Sequence, residues 1–359
     1  MKILFITGSL NQGGAEFQIL KLLQLFKIKG HDVELFALTN YDFYLPFLEN
    51  NEISYSHLQN FQNKFKRVLL TAKKIKKTRP DVIISYLRVP SQVSLVAKFL
   101  SRVDTKLIIG ERTSLVIPNY DRFYFNLMRL ANAVSVNSIS KLNYIQSNFK
   151  QVSSKTYFFP NILDVNEISF LDKKYDQEKL HLGFIGRISP EKNILEMIKA
   201  VGLLKEKGKE IRFSIYGDGR NADYLEQVTN LILSEGLTEE VQLMGKTNEV
   251  LEVYKKIDLL ILISDYEGFS NVISEALASG LPIITSAIPE NEYLVHDTVN
   301  GFVVNHKEVI SISNGIEKYL SLNEVDKKEM SLKNRAKSEL IFDKEKLYHQ
   351  YVELIKQSK

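Results

Sequence analysis

Short, continuous runs of apolar and often β-branched residues, each followed by a helical stretch, restrict the fold of this chain more than any other feature. KILFIT (2–7), HDVELFAL (31–38), DVIISY (81–86), KLIIG (106–110), AVSVNS (133–138) and KTYFFPN (155–161) each read as a strand. Strands that carry apolar side chains in unbroken runs need cover on both faces, which is the condition of a parallel sheet wrapped by helices. Helical spacing over 16–29, 64–77, 91–100, 121–131 and 140–149 supplies that cover, with Gly30 and Pro80 as stops. The segment ILDVNEISFLDKKYDQEK (162–179) is then polar and aperiodic, as a linker is. A second series follows it: HLGFIG (181–186), IRFSIYG (211–217), VQLMG (241–245), DLLILIS (258–264), PIITS (282–286) and GFVVN (301–305), again separated by helical stretches. The expectation is an α/β protein with two similar halves.

Length and composition agree with this and exclude several function classes. A chain of 359 residues is too long for one ordinary core. With no cysteine, disulfides and thiolate metal sites are ruled out, and none of the six histidines has a metal-ligand spacing. No apolar stretch approaches the ~20 residues of a membrane-spanning helix, and the N-terminus lacks a signal-peptide core, so a cytoplasmic protein is expected. The net charge of +4 is mild but uneven. KFKRVLLTAKKIKKTR (64–79) holds eight basic residues and no acidic one, with Phe65, Val68, Leu69, Ala72 and Ile75 at helical spacing. Two readings stand: a surface helix with a core-facing stripe, or a patch that meets an anionic membrane surface or a phosphorylated acceptor. A nucleic-acid partner is not expected, because no recognition motif accompanies the charge.

Several glycine-bearing turns fall at the carboxyl ends of predicted strands, where open α/β sheets bind ligands. GSLNQGGAE (8–16) joins the first strand to the first helix, and Gly13 and Gly14 would let a ligand approach the backbone. It carries neither the P-loop nor the dinucleotide pattern, so a plain turn and an anion- or sugar-contact loop both remain open. GRISPEKN (186–193) presents Arg187 and Lys192, which could close on a diphosphate or form an ordinary charged loop. YGDG (216–219) is a similar turn. SDYEGFSNVISEALASGLPIIT (264–285) is the most specific segment: it places Glu267 and Gly268 in a loop and Glu275 within the helix that follows, capped by Ser270 or Asn271. Glu275 could be a dipole partner, but Glu267 has no structural explanation of that kind.

The two glutamates of 264–285 resemble the E-x7-E signature of the retaining glycosyltransferases of family 4. GRISPEKN is similar to that family's phosphate-binding segment, GSLNQGGAE to its N-terminal glycine loop, and NEYLVHDTVNGFVV (291–304) to its late donor-site segment. The resemblance spans nearly the whole chain. It implies the GT-B architecture, two Rossmann-like domains facing across a cleft: 1–165, joined by a C-terminal helix over 338–359, and a donor domain over 178–337. It implies a nucleotide-sugar co-substrate, a UDP-sugar before others, with no metal and no further cofactor. Arg187 and Lys192 would grip the donor diphosphate, and Glu275 the ribose. Glu267 would face the sugar, making Glu267, Arg187 and Lys192 the catalytic set. Gly14, Gly217, Gly268, Phe269, Ser270, Asn271 and Val272 would complete the donor site, with Glu292 a weaker candidate.

The acceptor implied is a saccharide or a polyprenyl-linked saccharide in bacterial surface glycan synthesis, made at the inner face of the cytoplasmic membrane with helix 64–77 resting on it. Where many members carry a histidine, IIGERTS (108–114) has Glu111 and Arg112. These two and Arg88 are the acceptor-side candidates, a salt-bridged structural pair being the competing reading. The absence of an Asp-x-Asp pair argues against the other main transferase fold. A non-catalytic nucleotide-sugar-binding protein, or an inactive subunit of a glycan-assembly complex, is the alternative function.

Overall fold

A computed structural model describes residues 1–11, 13–40, 43–59, 63–173, 179–219 and 221–358. Gln12 of the first glycine loop and 174–178 of the linker segment, including the expected start of the second domain, lie outside these residues. The chain forms two compact units, Met1–Leu163 with the segment from Asp343 onward, and Asp164–Phe342.

In the first unit the strands are β1 (Lys2–Thr7), β2 (Asp32–Ala37), β3 (Ser54–His57), β4 (Val82–Tyr86), β5 (Lys106–Glu111), β6 (Ala133–Val136) and β7 (Thr156–Phe158). They make one parallel sheet in the order β3-β2-β1-β4-β5-β6-β7. Its helices are α1 (Gly14–Ile28), α2 (Leu45–Asn50), α3 (Lys64–Thr78), α4 (Arg88–Ser101), α5 (Pro118–Met128), α6 (Ile139–Asn148) and α7 (Lys150–Ser153). β1 shows why its apolar run is unbroken. Ile3 and Phe5 join the core shared with α1 and the last helix, while Leu4 and Ile6 join the core shared with α3, α4 and α5. Each such buried side chain contributes about 1.5–3 kcal/mol. The pairing of β3 with β2 completes an edge that the polar sequence SYSH does not announce.

In the second unit β8 (Leu180–Ile185), β9 (Ile211–Tyr216), β10 (Val241–Gly245), β11 (Leu259–Leu262), β12 (Ile283–Ser286) and β13 (Phe302–Val304) form a parallel sheet in the order β10-β9-β8-β11-β12-β13. Its helices are α8 (Ile194–Glu206), α9 (Ala222–Ser234), α10 (Val250–Lys256), α11 (Asn271–Ser279), α12 (Pro289–Leu294), α13 (Val309–Ser321) and α14 (Glu324–Ile341). The last helix, α15 (Lys344–Gln357), belongs to the first unit, where Leu347, Tyr351 and Leu354 enter the core. This is the GT-B architecture: two Rossmann-like parallel-sheet units, with the C-terminal helix returned to the N-terminal one.

Three expectations are corrected. The single last helix expected over 338–359 is instead two, because the chain breaks at Phe342 and Asp343 caps α15 by accepting from the Glu345 and Lys346 amides. The described part of the polar segment after Ile162 is not free chain. Leu171 donates to Ser279 O at 2.9 Å and Ile168 O accepts from Arg335 at 2.7 Å, which ties the segment to the second unit. The apolar stripe of α3 does not all face the core. Ala72 and Ile75 are buried, but Phe65 is 83% and Leu69 53% exposed. Phe65 lies about two turns before Ala72 and so on nearly the same face; the first turns of α3 therefore overhang the core.

Candidate functional site

Strand order reverses direction between β8 and β11, and the chain leaves them toward opposite edges of the second sheet. The loops at their carboxyl ends diverge there and leave room for a ligand. β8 runs into the turn 186–193. Its first residue is anchored from Gly186 N–H to Tyr216 O at 2.9 Å, and Ile188 N–H reaches Asp218 O at 3.0 Å. Gly217 packs so tightly here that a Cβ would stand 1.8 Å from Gly186 O. The requirement for glycine at 217 thus comes from the neighbouring backbone.

Pro190–Lys192 makes one 3-10 turn, and Asn193 follows in the left-handed region at φ 47° before α8 begins. A non-glycine residue held there costs roughly 1–3 kcal/mol unless its surroundings hold it. Here Asn193 Nδ2 donates to Asp265 Oδ1 at 2.7 Å, and Asp265 N–H donates to Glu191 O at 2.9 Å. Lys307 and His306 reach the same Asp265 carboxylate at 2.6 and 3.6 Å. These bonds tie the loop after β8 to the loop after β11.

The tie brings together two residues that are far apart in the sequence. Lys192 Nζ is ion-paired with Glu267 Oε1, with side chains only 16% and 14% exposed. Ser264 Oγ donates to that same oxygen at 2.9 Å, and the Ser264 amide is held by Ser286 Oγ at 3.1 Å. Arg187 is exposed on the same turn, and its charge opposes the rise that burial gives the Tyr266 hydroxyl. Gly268 is half-buried, and Phe269 is buried edge-on to Tyr293 and Phe342. Only the backbone of Phe269 is thus well placed to meet a ligand.

Ser270 caps α11 by accepting from the Ile273 amide at 3.2 Å. The first amides of a helix have no partner within it, and with the helix dipole they favour an anion. Asn271 and Val272 begin this helix, and Glu275 lies one turn in. Burial pushes the Glu275 carboxyl up to about 7, against the lowering effect of the Tyr254 hydroxyl, which donates to Oε2 at 3.1 Å. The same hydroxyl is 3.0 Å from Val272 O. Glu292 is exposed on α12, whereas Glu290 is buried. Ser264, Tyr254 and Asp265 escaped the sequence reading. Only tertiary proximity marks them, since each is a common residue type in an unremarkable local context.

The first unit has its own strand-order reversal, between β1 and β4. Gly13 precedes α1 in extended backbone and its carbonyl accepts from the Tyr44 hydroxyl at 3.1 Å. Gly14 is exposed as the first residue of α1. Glu16 lies in that first turn, and its carboxylate would stand 2.3 Å from a Cβ on Gly13. The helix start therefore already faces a carboxylate. β4 is followed by Leu87, whose φ of 73° is rare for leucine, and α4 starts at Arg88.

The three acceptor-side candidates are all engaged within the unit. Arg88 pairs with Glu111 at 3.4 Å and with Asp121 at 2.9 Å, and Lys141 reaches Asp121 at 3.4 Å. Glu111, Asp121 and Lys141 are buried, and burial raises the Glu111 carboxyl and lowers the Lys141 ammonium. Arg112 lies 4.0 Å over the Tyr86 ring and donates to Tyr351 at 3.2 Å and Ser135 at 3.3 Å, joining β5 to α15. Gly110 makes room for this arrangement, since a Cβ there would be 2.3 Å from the Tyr86 ring. Asp121 and Lys141 carried no sequence signal, because 20 residues separate them and each sits in an ordinary helix. Among the described residues, no group of three or more His, Cys, Asp or Glu could hold a metal ion, and no helix is long and apolar enough to cross a membrane.

Residues 166–339 match the family model described as "Glycosyl transferases group 1". Two Campylobacter jejuni proteins are similar over most of their length. One, "GalNAc-alpha-(1->4)-GalNAc-alpha-(1->3)-diNAcBac-PP-undecaprenol alpha-1,4-N-acetyl-D-galactosaminyltransferase", is 29% identical over 89% of this chain and 89% of its own. The other, "N-acetylgalactosamine-N,N'-diacetylbacillosaminyl-diphospho-undecaprenol 4-alpha-N-acetylgalactosaminyltransferase", is 28% identical over 94% of this chain and 95% of its own. Among solved structures, Anabaena Alr3699/HepE in complex with UDP superposes with a TM-score of 0.86 at 21% identity, over 99% of this chain and 100% of that one. At that identity the likeness carries the fold. The chain is a GT-B glycosyltransferase in architecture and is related to bacterial glycan-assembly and capsule enzymes.

Proposed function

We propose that this protein is a retaining glycosyltransferase of family 4. It moves a hexose or N-acetylhexosamine from a UDP-sugar to a saccharide or lipid-linked saccharide in bacterial surface glycan synthesis, on the cytoplasmic side of the membrane. The observation that carries the reading is the meeting of Lys192, Glu267 and Ser264 beside the start of α11, at the carboxyl ends of β8 and β11. The Anabaena relative in fold was crystallised with UDP and with UDP-glucose, which supports the choice of donor.

In this reading the bond between the anomeric carbon and the diphosphate oxygen breaks, and the acceptor oxygen bonds to that carbon on the same face. The acceptor's proton passes to the departing diphosphate. Negative charge grows on the leaving oxygen, and preorganised cations and amides lower the barrier by stabilising it. Arg187, Lys192 and the first amides of α11 supply these. Lys192 exchanges part of its pairing with Glu267 for the diphosphate, which frees a Glu267 oxygen to accept a sugar hydroxyl. Glu275 accepts from the ribose. Arg88, Glu111 and Arg112 hold the acceptor side chiefly by fixing the loops after β4 and β5, and an anionic membrane face is the partner of α3. The direct test is transfer from a panel of UDP-sugars to a lipid-linked saccharide, with Glu267→Gln beside the parent. Loss of transfer with an unchanged circular dichroism spectrum is expected; parental turnover in the variant would remove Glu267 from the chemistry.

A further inference from the structure

One residue of another loop brackets Lys192. Asp265, which follows β11, donates its N–H to Glu191 O at 2.9 Å and accepts from Asn193 Nδ2 at 2.7 Å, so it grips the residues on both sides of Lys192. It also stands two places before Glu267, the ion-pair partner of Lys192. Within the turn, Lys192 N–H closes on Ser189 O at 3.0 Å and Asn193 N–H on Pro190 O at 3.1 Å. The unfavourable step is Asn193 itself, buried at φ 47° and ψ 42° just ahead of α8. Asparagine enters this left-handed region more readily than most residues, yet still at a cost. An asparagine in this place ordinarily caps the helix by accepting from a first-turn amide. Here its side chain makes no cap bond and donates to Asp265 instead, which holds the strained backbone in place.

Two cations from the loop after β13 meet the same oxygen, Lys307 Nζ at 2.6 Å and His306 Nε2 at 3.6 Å from Asp265 Oδ1. Burial alone would raise this carboxyl, but the bonds from Lys307 and Asn193 hold it below the ordinary carboxylate value. An ionised acceptor makes the stronger bond to the Asn193 amide. Lys307 is 60% exposed, and a solvated ion pair is weak, so the grip on the turn comes from Asp265 and not from the outer cation. We propose that Asp265 is a positioning residue for the donor diphosphate: through Glu191 and Asn193 it fixes the turn from which Lys192 reaches Glu267 and the incoming phosphates. This rests on the donor-site reading and adds a residue that acts through Lys192 and not on the donor itself. A hydrogen bond weakens steeply with angle, so a displaced ammonium loses the phosphate contact although its charge remains.

The test is a double-mutant cycle of UDP binding by calorimetry on the full chain. Asp265→Ala should weaken UDP by about tenfold in the parent, as loss of a charged hydrogen bond does. In the Lys192→Ala background the same change should cost less than about twofold, because the interaction it acts through is already gone. Asp265→Asn keeps an acceptor for Asn193 and the backbone amide, and should recover most of the affinity. Lys307→Ala should alter affinity by less than about twofold. Uridine, which has no phosphate, should bind the parent and Asp265→Ala equally in a nuclear magnetic resonance titration, whereas a general loosening of the site would weaken it too. Equal losses in the two backgrounds, a matching loss for uridine, or unchanged UDP affinity in Asp265→Ala overturns the positioning role while the donor site stands. Absence of UDP binding by the parent overturns both.

Discussion

Glu275→Gln tests the electrostatics of the proposed donor site. In the folded protein burial lifts the Glu275 carboxyl from its ordinary 4.5 to about 7. At about 1.4 kcal/mol for each tenfold, that displacement corresponds to roughly 3 kcal/mol between the two protonation states. The sign follows from proton uptake: between these values the folded state holds a proton that the unfolded state has released. This group's stabilising effect is therefore whole below pH 4.5 and is lost as pH rises through about 7. From pH 5.5 to 8.5 it removes about 2 kcal/mol from the parent. Glutamine keeps an acceptor for the Tyr254 hydroxyl at 3.1 Å but has no charge to bury. Urea unfolding of the two proteins across that range should show a stability gap that opens in favour of Glu275→Gln as pH rises. Parallel pH profiles would refute the argument. The same carboxyl couples to function. A ribose hydroxyl donates best to the ionised form, so UDP binding near pH 6.5 should release a proton, seen as a buffer-dependent enthalpy that Glu275→Gln abolishes.

Lys192→Ala should weaken UDP binding by about tenfold or more by calorimetry, as loss of a charged hydrogen bond does; unchanged affinity would sink its diphosphate role. Gly217→Ala forces a Cβ to 1.8 Å from Gly186 O and should cost roughly 3 kcal/mol in chemical unfolding, with nucleotide affinity falling as the turn bearing Arg187 shifts. Asp121→Ala leaves Lys141 buried without its carboxylate and Arg88 with one partner fewer, and should destabilise the first unit by about 3–5 kcal/mol. Asp121→Asn should recover part of that loss, and a thermal midpoint equal to the parent's in Asp121→Ala would count against the network.

How much was legible beforehand differs by kind of interaction. The strand and helix series could be read because periodicity and punctuation are local: a run such as KILFIT must be covered on both faces whatever follows it. The outline of the candidate site could be read because Glu267, Gly268, Ser270 and Glu275 lie in one loop and one helix. The break before α15 was missed because Phe342 is apolar and sits in helical register, while Asp343 acts as a cap only once the chain turns there. The stripe on α3 misled because spacing gives a face of a helix but not where the body beneath it ends.

Sequence by itself therefore determined the two parallel-sheet units and the strand-end position of the glycine turns. Tertiary structure alone decided the pairing of Lys192 with Glu267, the burial that lifts Glu275, the closing of Arg88, Glu111, Asp121 and Lys141 on one another, and the exposure of Phe65 and Leu69 on the first turns of α3. Those are properties of distance and solvent access between segments that the sequence keeps apart. A local pattern carries the information for an element, whereas the partner of a charge and the water it loses depend on which elements the sheet order makes neighbours.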